Sequence, residues 1–196
     1  MARNREFILE DVLESAMSIF WKKGYAATSI TDLMDATGLA KGSIYKAFGD
    51  KHQLYLQALD FYLANTKREY KASLSHGPTA LAAIKHWVVE GAHLLDTNTA
   101  QQNGCMAINS GIEMSEQFTD ISKKLEAHRF FVFKLLVEKV KQGQAAKEIR
   151  TDMSPEKIAS IIGTFQMGIN AGMGYVFNKQ MVASLADAML ETIMKV

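Results

Sequence analysis

The chain has 196 residues, 48% of them hydrophobic and 22% charged, with a net charge of +1. That balance excludes a disordered chain, a collagen-like fibre and a disulfide scaffold, and it allows one or two domains with a sizeable core. Any nucleic-acid footprint has to be local, because the chain as a whole is close to neutral. The single cysteine, Cys105, rules out an internal disulfide and a Cys-rich zinc site, which points to a reducing, cytoplasmic setting. The opening MARNREF is charged and lacks the apolar core of a secretion signal.

In chain order, Leu9, Leu13, Ala16 and Phe20 fall on one face of a first helix, widened by Val12 and Met17 and stopped at Gly24. Ser29 and Asp32 form the pattern of a capping box, with Thr28 a second cap candidate. They open a short helix that turns its Ile30, Leu33 and Met34 inward. Gly38 supplies a turn, Leu39 plugs back into the core, and a second short helix from about 40 to 47 carries Ile44 and Phe48 inward. Two short helices joined at a glycine make a helix-turn-helix. Asp50 then caps a helix running to about Leu74.

Ser75-His76-Gly77-Pro78 reads as a boundary, with Pro78 in the first turn of a helix that reaches about Asp96. A polar loop to Gly104 precedes helices at about 105–116 and 118–142. Gly143 to Met153 reads as connector. Ser154-Pro155 opens the next helix as cap and first helical residue, and a last helix spans about 182–194. The fold class is all-α with about nine helices. Residues 158–178 carry no charge over 21 positions, enough to cross a bilayer. Their polar residues and glycines suit a buried core or subunit interface instead.

Residues 1–55 hold equal numbers of cations and anions, yet Lys41, Lys46 and Lys51 face only Asp50 between Thr37 and Lys51. With Ile44 and Phe48 inward, Lys41, Gly42, Ser43, Tyr45 and Lys46 are left outside, a set able to meet phosphates and base edges. Arg3 and Arg5 read as a frayed tail, with a minor-groove arm as the alternative.

The run YAATSITDLMDATGLAKGSIYKAFGDKHQLYLQAL resembles the DNA-binding domain of the TetR family of bacterial transcriptional regulators, over roughly residues 7–60. By that resemblance Thr28, Tyr45 and Lys51 match phosphate-holding positions, and Lys41, Gly42, Ser43 and Lys46 match positions facing the major groove. Ser29 and Ala40 complete the implied DNA-binding set. Ala47 departs from the family's frequent histidine. GCMAINSGIEMS and EIRTDMSPEKIA are similar to one subset of these regulators. The resemblance implies a helix-turn-helix domain over 1–50, a connecting helix over 51–74, and an effector-binding and dimerisation domain over 75–196. It also implies a homodimer through the last two helices, a palindromic double-stranded DNA operator, and an unknown small-molecule effector.

Cys105 follows Gly104 at a helix start, where the helix dipole favours a thiolate, so it is a candidate redox or electrophile sensor as well as a candidate core residue. Trp87, Met106, Phe118, Phe131, Phe165 and Met167 are core by helical spacing, but a ligand cavity recruits the same types. Asn109, His128, Gln166 and Asn170 are candidates for its polar groups. His86 and His93 lack a third partner for a metal, and no cofactor is implied. There is no phosphate loop, nucleophile elbow or zinc-protease motif, and the scattered helical carboxylates read as solvated faces. The expectation is therefore a dimeric repressor released by a small molecule. The alternatives are the same repressor switched at Cys105, and a helical small-molecule-binding protein or enzyme with a vestigial helix-turn-helix.

Overall fold

The structure, a computed structural model, describes residues 2–93, 104–172 and 176–194. Nine helices make up nearly all of the described residues: α1 (Ala2–Lys23), α2 (Ile30–Thr37), α3 (Lys41–Phe48), α4 (Lys51–Leu74), α5 (Ala80–His93), α6 (Met106–Met114), α7 (Thr119–Ala145), α8 (Pro155–Gly172) and α9 (Lys179–Ile193). The polar loop expected before Gly104 lies largely outside the described residues, as do the side chains of Arg3, Arg5 and His93.

Local chemistry starts and stops these helices. The Ser29 hydroxyl accepts from the Asp32 amide while the Asp32 carboxylate accepts from the Ser29 amide, so the capping box at α2 is complete. Gly38 ends α2 at φ 70°, a left-handed turn that a side chain would strain. Asp50 accepts from the Gln53 amide at 2.7 Å and starts α4. Ser154 caps α8 with Pro155 at its first position.

Three boundaries differ from expectation, the simplest being α9, which starts at Lys179 behind an Asn178 cap rather than at about 182. Pro78 lies before α5 rather than inside it. Thr79 is the cap, and Glu148 reaches in from the connector so that the Ala80 and Leu81 amides donate to its carboxylate at 2.8 and 3.3 Å. A distant anion at a helix start is invisible to local sequence patterns. Further on, α7 continues through Gly143 to Ala145 before the chain turns back. The Arg150 amide then donates to the Ile193 carbonyl, which ties this connector to the end of α9.

Two apolar cores form. The first gathers Val12, Ala16 and Phe20 of α1 with Leu33, Ile44 and Phe48, but also Leu54 to Leu63 of α4 and Met106, Met114 and Ile121. The second packs Tyr70 and Leu74 of α4 against α5, α7, α8 and α9 around Trp87, Leu136 and Ile162. Helix α4 thus belongs to both. Leu9, expected on the buried face of α1, is 43% exposed, because the face that meets α4 is centred on Val12, Ala16 and Phe20. Helix α8 ends at Gly172, and among the described residues no helix is long and apolar enough to cross a membrane.

Candidate nucleic-acid interface and cavity

Helix α3 is anchored by Ile44, fully buried, and Phe48, 6% exposed. Every other residue of the helix is exposed, so Lys41, Gly42, Ser43, Tyr45 and Lys46 form one solvent-facing edge, with Ala40 as the extended residue before it. The Lys41 ammonium lies 5.9 Å from the Tyr45 ring. A Cβ added at Gly42 would meet nothing within 4 Å, so nothing inside the protein requires a glycine there.

Thr28 and Lys51 are placed differently from the exposed edge. Thr28 is 1% exposed, and its hydroxyl donates to the Gly24 carbonyl at 2.6 Å. It braces the turn between α1 and α2 and lies off the solvent face, because its side chain closes that turn. Ser29 remains exposed beside it. Lys51 is half-buried, its ammonium 4.4 Å from the Tyr25 ring centroid, and burial lowers its pKa from the ordinary lysine value. Lys23 pairs with Asp32 at 2.5 Å, holding that carboxyl well below the usual range together with the Ser29 amide and hydroxyl.

A cavity of about 550 Å³ opens between α4, α5, α6, α7 and α8. Among the expected core-or-cavity residues, Trp87, His128, Gln166, Met167 and Asn170 share its wall, and Cys105 joins them. The others lie elsewhere. Met106 is buried in the first core, and Asn109 lines a separate cleft against the end of α1. Phe118 stacks on His52 with ring centroids 4.4 Å apart. Phe131 sits under the Lys67 and Lys71 ammoniums, and Phe165 packs into the second core. Helical spacing marks an apolar face but not whether that face meets a cavity or another helix.

Burial pushes the His128 imidazole down to about 4, with Lys67 adding repulsion, so the ring is neutral near pH 7. Burial pushes the Tyr70 phenol well up, as it does Tyr62, whose hydroxyl lies 3.4 Å from the Cys105 sulfur. Cys105 itself is 7% exposed.

Glu113 corrects the reading of helical carboxylates as solvated. It is half-buried on α6 and accepts from the backbone N–H groups of Tyr25 and Ala26 at 2.9 and 2.7 Å. The Trp21 indole donates to the Gly104 carbonyl, and the Tyr55 and Ser110 hydroxyls share a 2.7 Å hydrogen bond. Helix α6 therefore walls the cavity through Ile108 and Gly111 while it holds the turn after α1 through Glu113 and α4 through Ser110. Glu113 belongs to the GCMAINSGIEMS run that resembles one subset of the family, but nothing local to it in the sequence points to a partner near Tyr25.

Residues 12–58 match the family model of bacterial regulatory proteins of the tetR family, and residues 80–189 match the tetracyclin repressor-like C-terminal domain. The chain belongs to the TetR family. It is a DNA-binding transcriptional regulator with the family's N-terminal helix-turn-helix and helical C-terminal domain. It is similar to the uncharacterized HTH-type transcriptional regulator YezE of Bacillus subtilis, 31% identical over 126 residues, an alignment covering 64% of each chain. The HTH-type transcriptional repressor ComR of Escherichia coli is 27% identical across 86% of this chain and 80% of its own length. A TetR regulator from Chloroflexus aurantiacus has the same fold, with a TM-score of 0.85 at 22% identity over 100% of both chains. So does a cysteine mutant of the TetR-family regulator CifR solved with 26-bp operator DNA, with a TM-score of 0.81 at 22% identity over 93% of this chain and 95% of that one.

Proposed function

We propose that this regulator is a dimeric, non-catalytic, cytoplasmic repressor that reads a palindromic operator with α3 and leaves it when a small molecule fills the cavity. The observation that carries the DNA reading is the edge of α3, where two buried anchors leave Lys41, Gly42, Ser43, Tyr45 and Lys46 facing solvent together. Lysines there suit phosphates and guanine edges, and a glycine without an internal packing reason suits close approach of a groove wall.

In this reading residues 1–50 form the DNA-binding unit, α4 (51–74) connects, and 75–196 bind effector and dimerise. Side chains of α4 in both cores support its connecting role. Ile161 and Met167 of α8 and Met181 and Leu185 of α9 are 37–49% exposed, which supports a dimer through these helices. Subunit spacing then sets operator affinity, since two recognition helices must reach half-sites about one helical turn apart. An effector that prefers another spacing shifts the population with ~1–3 kcal/mol of coupling. Helix α6 suits the transmission, because it touches both the cavity and, through Glu113, the turn that leads into the helix-turn-helix.

A second reading puts the switch on Cys105, favoured by its place in the cavity wall, where an electrophile entering the cavity would meet the thiol. The test of the main reading is selection of genomic fragments by the purified protein at low and near-physiological salt. Enrichment of a palindrome at both salts supports it. Sequence-indifferent binding that salt abolishes overturns it.

A further inference from the structure

Three buried polar atoms among the described residues have no hydrogen-bond partner and sit on residues that line the cavity: Trp87 Nε1, Gln166 Oε1 and His128 Nδ1. Their residues are 1%, 3% and 9% exposed. An unpaired buried polar group is expensive, and natural proteins tolerate it chiefly where function supplies the partner.

The atoms gather around Tyr70. Its ring meets Trp87 edge-on with centroids 5.5 Å apart and lies 6.2 Å from the His128 ring. The Gln166 amide nitrogen packs against Gly91, one helical turn beyond Trp87 on α5, 3.1 Å from where a Cβ would stand. That nitrogen donates to Asn170 Oδ1 at 3.0 Å. The bond fixes the amide and leaves its oxygen free. The corner therefore offers one obligate donor, the indole N–H, and one obligate acceptor, the Gln166 carbonyl.

The rest of the wall is mostly apolar, including Ile108, Leu125, Val132 and Leu136, with Ser115, Ser160 and Thr164 as its hydroxyl residues. Among the described residues no carboxylate lines it, and the one formal charge there, Arg129, is on an exposed residue. An ammonium would find no counter-ion among these residues. A carboxylate would meet Arg129 only by leaving the polar corner empty. Burial keeps His128 neutral, so it supplies no charge either.

We propose that the cavity binds an uncharged, largely apolar small molecule whose single polar end, a hydroxyl or carboxamide, accepts from Trp87 Nε1 and donates to Gln166 Oε1. This rests on the reading of the cavity as the effector site and names the effector's chemical class.

The test is calorimetric titration of the full chain with a matched probe set: 4-phenylphenol, biphenyl-4-carboxamide, biphenyl-4-carboxylate and 4-phenylbenzylammonium. The two neutral probes are expected to bind, and the two ions at least tenfold more weakly. Trp87→Phe keeps the ring and removes the donor, and should weaken 4-phenylphenol by roughly 3- to 10-fold. An unchanged melting temperature shows that the variant is folded. Gln166→Met removes the acceptor and provides a second reading of the same corner. Equal or tighter binding of either ion, no binding of any probe, or indifference of the neutral probes to both substitutions overturns the proposal. Operator binding measured on the same preparations separates the two readings. If operator binding persists while the probes fail, only the ligand class falls. If the neutral probes bind but no operator is recognised, the repressor reading falls and the ligand class stands.

Discussion

The Glu113 carboxylate accepts a hydrogen bond at 2.9 Å from the backbone N–H of Tyr25, a residue 88 positions earlier in the chain. With the second bond from Ala26, one side chain of the cavity-lining helix holds the turn that sets the angle of α2 and α3 against α1. Glu113→Ala should lower stability by ~1–3 kcal/mol, since hydrogen bonds to a charged acceptor are lost at a half-buried site. Hydrogen exchange should rise at the Tyr25 and Ala26 amides while the α9 amides keep their protection. Unchanged exchange at those two amides would show that the turn is held without Glu113.

Gly42 is a conformational liability in the first turn of α3 that nothing inside the protein requires. Gly42→Ala should raise stability by roughly 0.5–1 kcal/mol through the entropy of the unfolded chain. The same substitution should weaken operator binding several-fold, because the added methyl stands between α3 and the groove. A stabilised variant with parental affinity in fluorescence anisotropy would remove Gly42 from the interface.

Tyr45 and Lys46 are neighbours on the exposed edge with different expected tasks. Tyr45→Ala should weaken binding to all DNA sequences alike, as loss of a phosphate contact does. Lys46→Ala should cost ~1–3 kcal/mol and relax preference at one operator position, as loss of a base contact does. Parental binding by both variants at matched salt would show that α3 meets DNA through another face.

The depressed pKa of His128 makes stability depend on pH. The unfolded chain takes up this proton near 6.5, the folded chain only near 4. The contribution is therefore complete above pH 6.5 and is lost as pH falls from there towards 4, up to about 3 kcal/mol in all. His128→Gln cannot be protonated, so it should lose less stability than the parent between pH 7 and 4.5 in urea titrations. Parallel losses in the two proteins would place the acid sensitivity in other groups.

Cys105 separates the two switching modes. Cys105→Ser should bind operator like the parent and still be released by a neutral effector. Loss of release in this variant alone would move the switch to the thiol.

Much of the helix-turn-helix was legible because its signals are local. The Ser29–Asp32 capping box, the Gly38 turn and the Ile44 and Phe48 anchors each act within a few residues, and the exposed edge of α3 follows from them. Thr28 was harder to place, since a cap-type hydroxyl reads the same whether it faces solvent or closes a turn onto Gly24. The cavity was legible only in part. Trp87, His128, Gln166 and Asn170 met in one wall, whereas Phe118, Phe131 and Phe165 turned to other neighbours.

What the sequence by itself determined was the set of helices, most of their caps, and the face of α3 left without an apolar partner, because hydrogen bonds and periodicity act over one or two turns. Tertiary structure decided that α4 serves two cores, that Glu148 caps α5, and that Glu113 reaches the turn after α1. It also gathered Trp87, His128 and Gln166 around Tyr70. These groups come from helices far apart in the chain, and their meeting depends on how whole helices pack, which no local pattern encodes.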